Sequence, residues 1–153
     1  MAGIDDRQAT FAGVLLLANR MQTTYDSALG EVTLKQWLAL AVVATLPQPV
    51  PSTAVVARTL GTTHQNVRKL VGALDRKGLL SLAPSPEDGR ARQISLTQAA
   101  FDLFEREDAT GRRLLDDLFA DVAPADLHTC LRVLDTMSRS LTGDSLLPPG
   151  AEI

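Results

Sequence analysis

Helix-capping residues and glycines divide the segment 52–96 into pieces too short for long helices, and this spacing constrains the fold more than any other feature. Ser52 and Thr63 are each placed to cap a short helix. Gly61 follows the first helix and Gly78 the second, as glycine does past helix ends. The segment therefore predicts two short helices joined by a tight turn. Such a pair is either a helix-turn-helix, whose second helix enters the DNA major groove, or an ordinary pair of packed helices.

A hairpin predicted directly after the second helix favours the first alternative. Residues 79–83 and 93–96 form short strand-like stretches, and the turn-rich run 84–89 separates them. Helix, turn, helix and hairpin together make a winged helix-turn-helix. We expect this DNA-binding lobe to cover residues 33–96.

The rest of the chain predicts long helices on both sides of this lobe. Apolar residues recur at steps of three and four over 5–31 and again over 98–141. A small winged lobe cannot cover such stripes, so we predict that these helices form a two-fold homodimer. The predicted fold is mostly α, with six helices and a small two-stranded β wing in one domain, 1–153. The tail 142–153, rich in proline and glycine, is predicted to be mobile.

Charge is distributed unevenly along the chain. The formal net charge is −3, but residues 52–96 carry seven basic and three acidic side chains, a net +4, so the remainder carries −7. A basic segment within an otherwise acidic chain would attract phosphate groups to that segment. Chance scatter of charges accounts for the same numbers equally well.

Several motifs together resemble the multiple antibiotic resistance regulator (MarR) family over residues 10–141. They are Leu60-Gly61, the segments 67–74 and 77–80, the wing run 86–92 with its Asp-Gly-Arg, and the Ile-Ser-Leu-Thr of 94–97. Ser81-Leu82 departs from the pattern, because a charged pair is usual there, and Ala100 stands where glycine is common. The resemblance implies a transcriptional regulator, a repressor released by a small-molecule effector.

The second short helix supplies the candidate base-contacting residues. Asn and Gln can pair with adenine and Arg with guanine, whereas Thr and Lys suit phosphate. Val67 and Leu70 are expected to face inward. A solvated polar helix face is the alternative interpretation. The candidates are Thr63, His64, Gln65, Asn66, Arg68 and Lys69.

In the wing, the resemblance implies that Arg90 reaches the minor groove, where a narrow A/T-rich groove attracts arginine. Arg92 is a second candidate contact, and Asp88 would brace the loop by pairing with Arg92 or with backbone amides. Alternatively, the two arginines merely solubilise the tip.

Tyr25 and Trp37 are the only tyrosine and tryptophan. The resemblance places both near a small-molecule cleft, which suits an apolar or aromatic anion. Core packing is the competing interpretation.

The remaining features argue against other functions. No catalytic set of side chains and no metal-ligand cluster stands out, so we predict neither an enzyme nor a cofactor. Cys130 lies on an apolar stripe and is predicted to be a buried structural thiol, with a cysteine-based redox sensor as the alternative. The apolar run 37–46 is too short to span a membrane, and we predict a cytoplasmic protein.

The sequence thus predicts a homodimeric, sequence-specific regulator that binds an inverted-repeat operator in double-stranded DNA. A winged-helix protein-interaction module without DNA binding is the alternative.

Overall fold

The computed structural model describes residue 3, residues 5–86 and residues 91–147. Over these residues the chain is mostly α, with six helices and one two-stranded antiparallel sheet, as the sequence predicts. The elements are α1 (Asp6–Ala28), α2 (Leu34–Thr45), α3 (Thr53–Thr59), α4 (His64–Arg76), β1 (Leu80–Pro84), β2 (Arg92–Leu96), α5 (Gln98–Phe119) and α6 (Pro124–Thr142).

Side-chain caps explain where several helices begin. Thr33 and Gln36 form a reciprocal capping box at α2, in which each side chain accepts the other's backbone N–H at 3.2 Å. The hydroxyl of Thr63 caps α4 by accepting the backbone N–H of Asn66. Ser52 occupies the cap position of α3, but its side chain makes no cap hydrogen bond. The predicted starts of α3 and α4 are each confirmed to the residue.

The chain forms two compact units, Met1–Ala100 and Phe101–Ile153. The first unit contains the winged helix-turn-helix, and its core is built from apolar side chains of α2, α3, α4 and both strands. Each fully buried side chain of this kind stabilises the fold by roughly 1.5–3 kcal/mol. The largest fully buried side chains of this unit, with Val50 from the segment before α3 among them, are Leu40, Val43, Val50, Val56, Val67, Val71, Leu74, Leu80 and Ile94.

Val50 adds a one-residue bridge to the sheet, which the sequence analysis did not predict. Its N–H donates to the carbonyl of Ile94 at 2.8 Å, and the N–H of Ile94 donates back at 2.9 Å. Pro49 and Pro51 on either side have no N–H to offer. Val50 is therefore the residue of this proline-rich segment that can both donate and accept, and β2 is paired on both sides.

The hairpin pairs Leu80 with Leu96 at its base and Pro84 with Arg92 near its tip. Both strands lie within one residue of their predicted bounds. Pro84 is tolerated because it ends the edge strand β1. The tip, with Asp88 and Arg90, lies outside the described residues.

The second unit contains most of α5 and all of α6. Residues 124–133 of α6 are all exposed in the single chain, and Cys130 is among them. The prediction that Cys130 is buried is wrong for this chain. The apolar stripe of α6 is present, but no residue in the described part of the chain covers 124–133.

The carboxylate of Asp135 on α6 binds the segment that follows this helix. Asp135 is 7% exposed, and it accepts hydrogen bonds from Ser145 Oγ at 2.6 Å, the Leu146 N–H at 2.8 Å and Arg139 Nε at 2.7 Å. The described part of the tail predicted to be mobile is 142–147, in which residue 142 still belongs to α6 and Ser145 and Leu146 are held by hydrogen bonds. The residues beyond it, 148–153, lie outside the described residues.

These bonds favour the charged form, so they lower the pKa of Asp135 from 3.8 to about 2, first through Ser145 and then through Arg139. A lowered folded-state pKa means that this stabilisation is present above the unfolded pKa and is lost as the pH falls through about 2. In carboxyl 13C NMR, Asp135 should therefore titrate near 2.

Replacing Asp135 with Ala should make the Leu146 amide exchange faster with solvent, because its acceptor is lost. Asp121→Ala, at an exposed carboxylate, is the control and should leave that exchange unchanged. Equal protection of the Leu146 amide in both variants would contradict this account of the tail.

Candidate nucleic-acid interface

The turn between α3 and α4 is tight because of Gly61, which has φ +61°, a conformation that suits glycine. The next N–H, of Thr62, donates to the carbonyl of Ala57 at 3.1 Å. Ala57 is buried, so a larger side chain there would separate the two helices. The structure confirms the predicted helix-turn-helix, with its turn at Gly61.

Burial fixes how α4 is rotated. Val67, Val71 and Leu74 are at most 1% exposed and form one inward stripe. Leu70, predicted to share it, lies at its edge and is only half-buried. Because successive residues of a helix are about 100° apart, the direction opposite this stripe is also fixed.

The ridge opposite the buried stripe consists of Gln65, Lys69, Gly72 and Arg76. Gln65 and Lys69 are predicted candidates, and both are exposed. The sequence analysis missed Gly72 and Arg76, which lie one and two turns further along the same ridge. Both could have been found from the sequence, because at about 100° per residue they lie on the helix face opposite the apolar residues.

His64 and Arg68 lie on the side of α4 that faces the wing. Together with Arg92 of β2 they line a cleft of about 480 Å³, whose other walls include residues 52–54 and Leu82. Within the described residues, no carboxylate forms a salt bridge with Arg68. The cleft thus brings two cationic side chains and one imidazole together from two elements.

Asn66 lies on the other edge of α4. Its side-chain Nδ2 donates to Thr62 Oγ1 at 3.2 Å, and its backbone N–H donates to Thr63 Oγ1 at 3.2 Å. The side chain is exposed but already bonded to the turn. The predicted contact residues therefore divide into three groups, with His64, Arg68 and Arg92 at the cleft, Gln65 and Lys69 on the ridge, and Thr63 and Asn66 at the turn.

The far end of α4 is tied to the turn between α1 and α2. Lys77, the C-cap residue, donates from Nζ to the carbonyl of Glu31 at 2.5 Å and to Gln36 Oε1 at 3.0 Å. The Gln36 side chain also belongs to the capping box of α2. One ammonium group thus joins α4 to the start of α2.

Tyr25 and Trp37 lie on either side of that same turn. Tyr25, in the last turn of α1, is 8% exposed, and Trp37, in the first turn of α2, is half-buried. Neither residue lines the cleft beside α4. A ligand site at these two residues stays a prediction.

Searches of the described residues for other kinds of site gave two results. They contain no group of three or more His, Cys, Asp or Glu side chains that could hold a metal ion. None of their helices combines the length and apolar character needed to cross a membrane.

Comparison with known proteins relates the lobe to one family. Residues 31–91, from the α1–α2 turn to the wing, match the model of the MarR family. The resemblance seen in the sequence motifs is therefore confirmed. Two curated relatives of this chain are transcriptional regulators by name.

The transcriptional activatory protein BadR of Rhodopseudomonas palustris is 27% identical over 117 residues, which cover 71% of this chain and 65% of BadR. The transcriptional repressor IacR of Pseudomonas putida is 31% identical over 75 residues, which cover 49% of this chain and 45% of IacR. The matched segment thus spans less than two thirds of either relative.

Solved structures share the fold at low sequence identity. A MarR/EmrR family regulator from Acinetobacter sp. ADP1 has a TM-score of 0.78 at 18% identity, over 92% of this chain and 100% of that one. The S. aureus MepR–DNA complex has a TM-score of 0.75 at 22% identity, over 84% and 94%. PcaV of Streptomyces coelicolor, with its natural ligand, has a TM-score of 0.72 at 23% identity, over 92% and 99%.

The cap of α4 is open to a direct test. Thr63→Ala should lower the free energy of unfolding by about 1 kcal/mol, because the N–H of Asn66 loses its acceptor. Thr63→Ser keeps a hydroxyl at the same place and should recover most of the loss. Urea denaturation of the three proteins measures the difference. If Ser and Ala destabilise the chain equally, the hydroxyl of Thr63 is not the cap.

Proposed function

We propose that this chain is a cytoplasmic, sequence-specific double-stranded DNA-binding transcriptional regulator. The observation that carries the proposal is the division of α4 into a buried apolar stripe and an exposed polar ridge beside a wing that bears Arg92. An α-helix fits the major groove of B-DNA, and a wing next to it reaches the adjacent minor groove. The match to the model of the MarR family and the fold of a protein solved with DNA support the same assignment.

In this arrangement the ridge of α4 carries the contacts to base edges. The amide of Gln65 can pair with adenine, and Arg76 can pair with guanine through two parallel hydrogen bonds. Lys69 lies between them and suits a phosphate or a guanine. Arg68 and Arg92 flank the cleft and neutralise phosphates of the nearby strand. Asn66 contributes less than the sequence suggests, because Thr62 already bonds its amide.

The regulator acts as a homodimer in this proposal. Helix α1 exposes Phe11, Leu15 and Leu16, and α6 exposes Leu131 and Leu141. Apolar surface on both terminal regions is what a two-fold interface would bury. A two-fold dimer presents two α4 helices and therefore favours an inverted repeat.

We further propose that the protein represses transcription and is released by a small apolar or aromatic anion bound near Tyr25 and Trp37. PcaV, which shares this fold, has been solved with its natural ligand, and S. aureus MarR, which also shares it, has been solved with salicylate, an aromatic anion, which supports an effector of this class. The curated relatives include one repressor and one activator by name, and the repressor shares the higher identity over the shorter segment. Lys77 offers a route by which a ligand at the α1–α2 turn could act on α4.

Selection of genomic fragments by the purified protein, followed by footprinting, tests DNA recognition. The bound site should be an inverted repeat with half-sites about one helical turn apart. Lys69→Ala should weaken binding and reduce the slope of log affinity against log salt by about one, because one cationic contact is lost.

Lys35→Ala, at an exposed lysine of α2 outside the ridge, the cleft and the predicted dimer helices, is the matched control and should leave both quantities unchanged. Protection of one asymmetric half-site would overturn the dimer. Absence of any salt-dependent DNA binding would leave the lobe as a protein-interaction module.

Fluorescence of Trp37, the only tryptophan, tests the effector site. Salicylate should change the emission and weaken DNA binding by roughly 5–150-fold, the usual range of coupling between two sites. Salicylamide, which lacks the carboxylate, is the control and should do neither. A fluorescence change without any loss of DNA affinity would remove the regulatory part of the proposal.

A further inference from the structure

The ridge of α4 contains a glycine that none of the described residues requires. Gly72 has no positive φ, and it lies inside a regular helix, where glycine is less stable than alanine. Among the described residues, a Cβ built at this position would meet only Nη1 of Arg76, at 3.7 Å, which is an ordinary contact with the end of a flexible side chain. The fold would therefore accept, and gain stability from, a larger residue.

Gly72 is also placed where two DNA-facing surfaces meet. It continues the ridge between Lys69 and Arg76, and it lines the cleft between α4 and the wing with Arg68 and Arg92. Because Gly72 has no side chain, the floor of the cleft is open at the middle of the helix.

The proposed DNA-binding mode dictates what must lie over this floor. When α4 occupies the major groove and the wing occupies the neighbouring minor groove, one sugar–phosphate strand separates the two grooves. That strand must cross the protein between α4 and the wing, which is the position of the cleft. Cations on both walls match its charge.

We propose that Gly72 is a positioning residue that admits this strand. The missing side chain lets the sugar–phosphate backbone approach α4 closely, so that Arg68 and Arg92 reach its phosphates from opposite sides. A side chain at position 72 would hold the strand away from the cleft and lift the ridge out of the major groove. This inference rests on the proposed DNA-binding function and adds a determinant of how deeply α4 inserts.

The test separates stability from binding with a graded series, Gly72→Ala and Gly72→Leu. Gly72→Ala should raise Tm by about 1–4 °C, because alanine is the better helix former. It should nevertheless weaken binding to the selected operator by about tenfold, comparable with one mismatched base pair, and Gly72→Leu should weaken it further. A purely structural role for Gly72 would move stability and affinity in the same direction.

Hydroxyl-radical footprinting locates the effect. Wild-type protein should protect the sugars of the strand segment between the major-groove and minor-groove contacts, and both variants should lose protection there first. Thr45→Ala is the control for a gain in helix propensity alone, since Thr45 is an exposed residue of α2 outside the ridge, the cleft and the predicted dimer helices. It should leave operator affinity and the footprint unchanged.

The outcomes distinguish this inference from the proposed function. If the wild-type protein binds no DNA, the proposed function fails and this inference fails with it. If the wild type binds and the Gly72 variants bind equally well with the same footprint, only the role of Gly72 is overturned. A large fall in Tm for Gly72→Ala would also overturn it, because the chain would then itself need the glycine.

Discussion

Burial of one face of α4 is the interaction on which the rest of the lobe depends. Val67, Val71 and Leu74 occupy the core, and their removal from water fixes the rotation of the helix about its axis. Since the side chains of a helix keep a fixed angular order, this rotation also decides which residues point outward. The outward orientation of the ridge from Gln65 to Arg76 is therefore a consequence of apolar packing on the opposite side of the helix, and the polar residues do not determine it.

Polar contacts at the two ends of α4 complement this packing. At the start, Thr63 caps the helix and Thr62 holds the amide of Asn66. At the end, Lys77 reaches the turn that follows α1. The first set lies within a few residues of the chain, so the local sequence encodes it. The second joins residues 46 positions apart and exists only once α1, α2 and α4 are assembled.

Much of the fold follows from local sequence, because caps, glycines and prolines act over a few residues. The bounds of α2, α4 and the hairpin are examples. The outcomes that sequence reasoning missed depend on contacts or exposure that only the folded chain defines. Val50 pairs with β2 across more than forty residues. Asp135 accepts two of its hydrogen bonds from Ser145 and Leu146, which follow α6 in the chain. The exposure of Cys130 depends on what covers α6. In the site, residue types suggested six contact residues on α4 and its cap. Their division between the ridge, the cleft and the turn follows from the burial pattern, the cleft lining and the hydrogen bonds of Asn66.

The tie formed by Lys77 has a further consequence for how such a sequence can change. Both of its hydrogen bonds lie at the surface, where water can replace a lost partner at small cost. Apolar burial fixes α4 as far as Leu74, whereas Lys77, just past its last turn, links the helix to the α1–α2 turn. Replacing that lysine would leave the lobe folded and would remove this link. Evolution can therefore adjust the link between α4 and the α1–α2 turn through one codon, independently of the mutations that change the stability of the lobe.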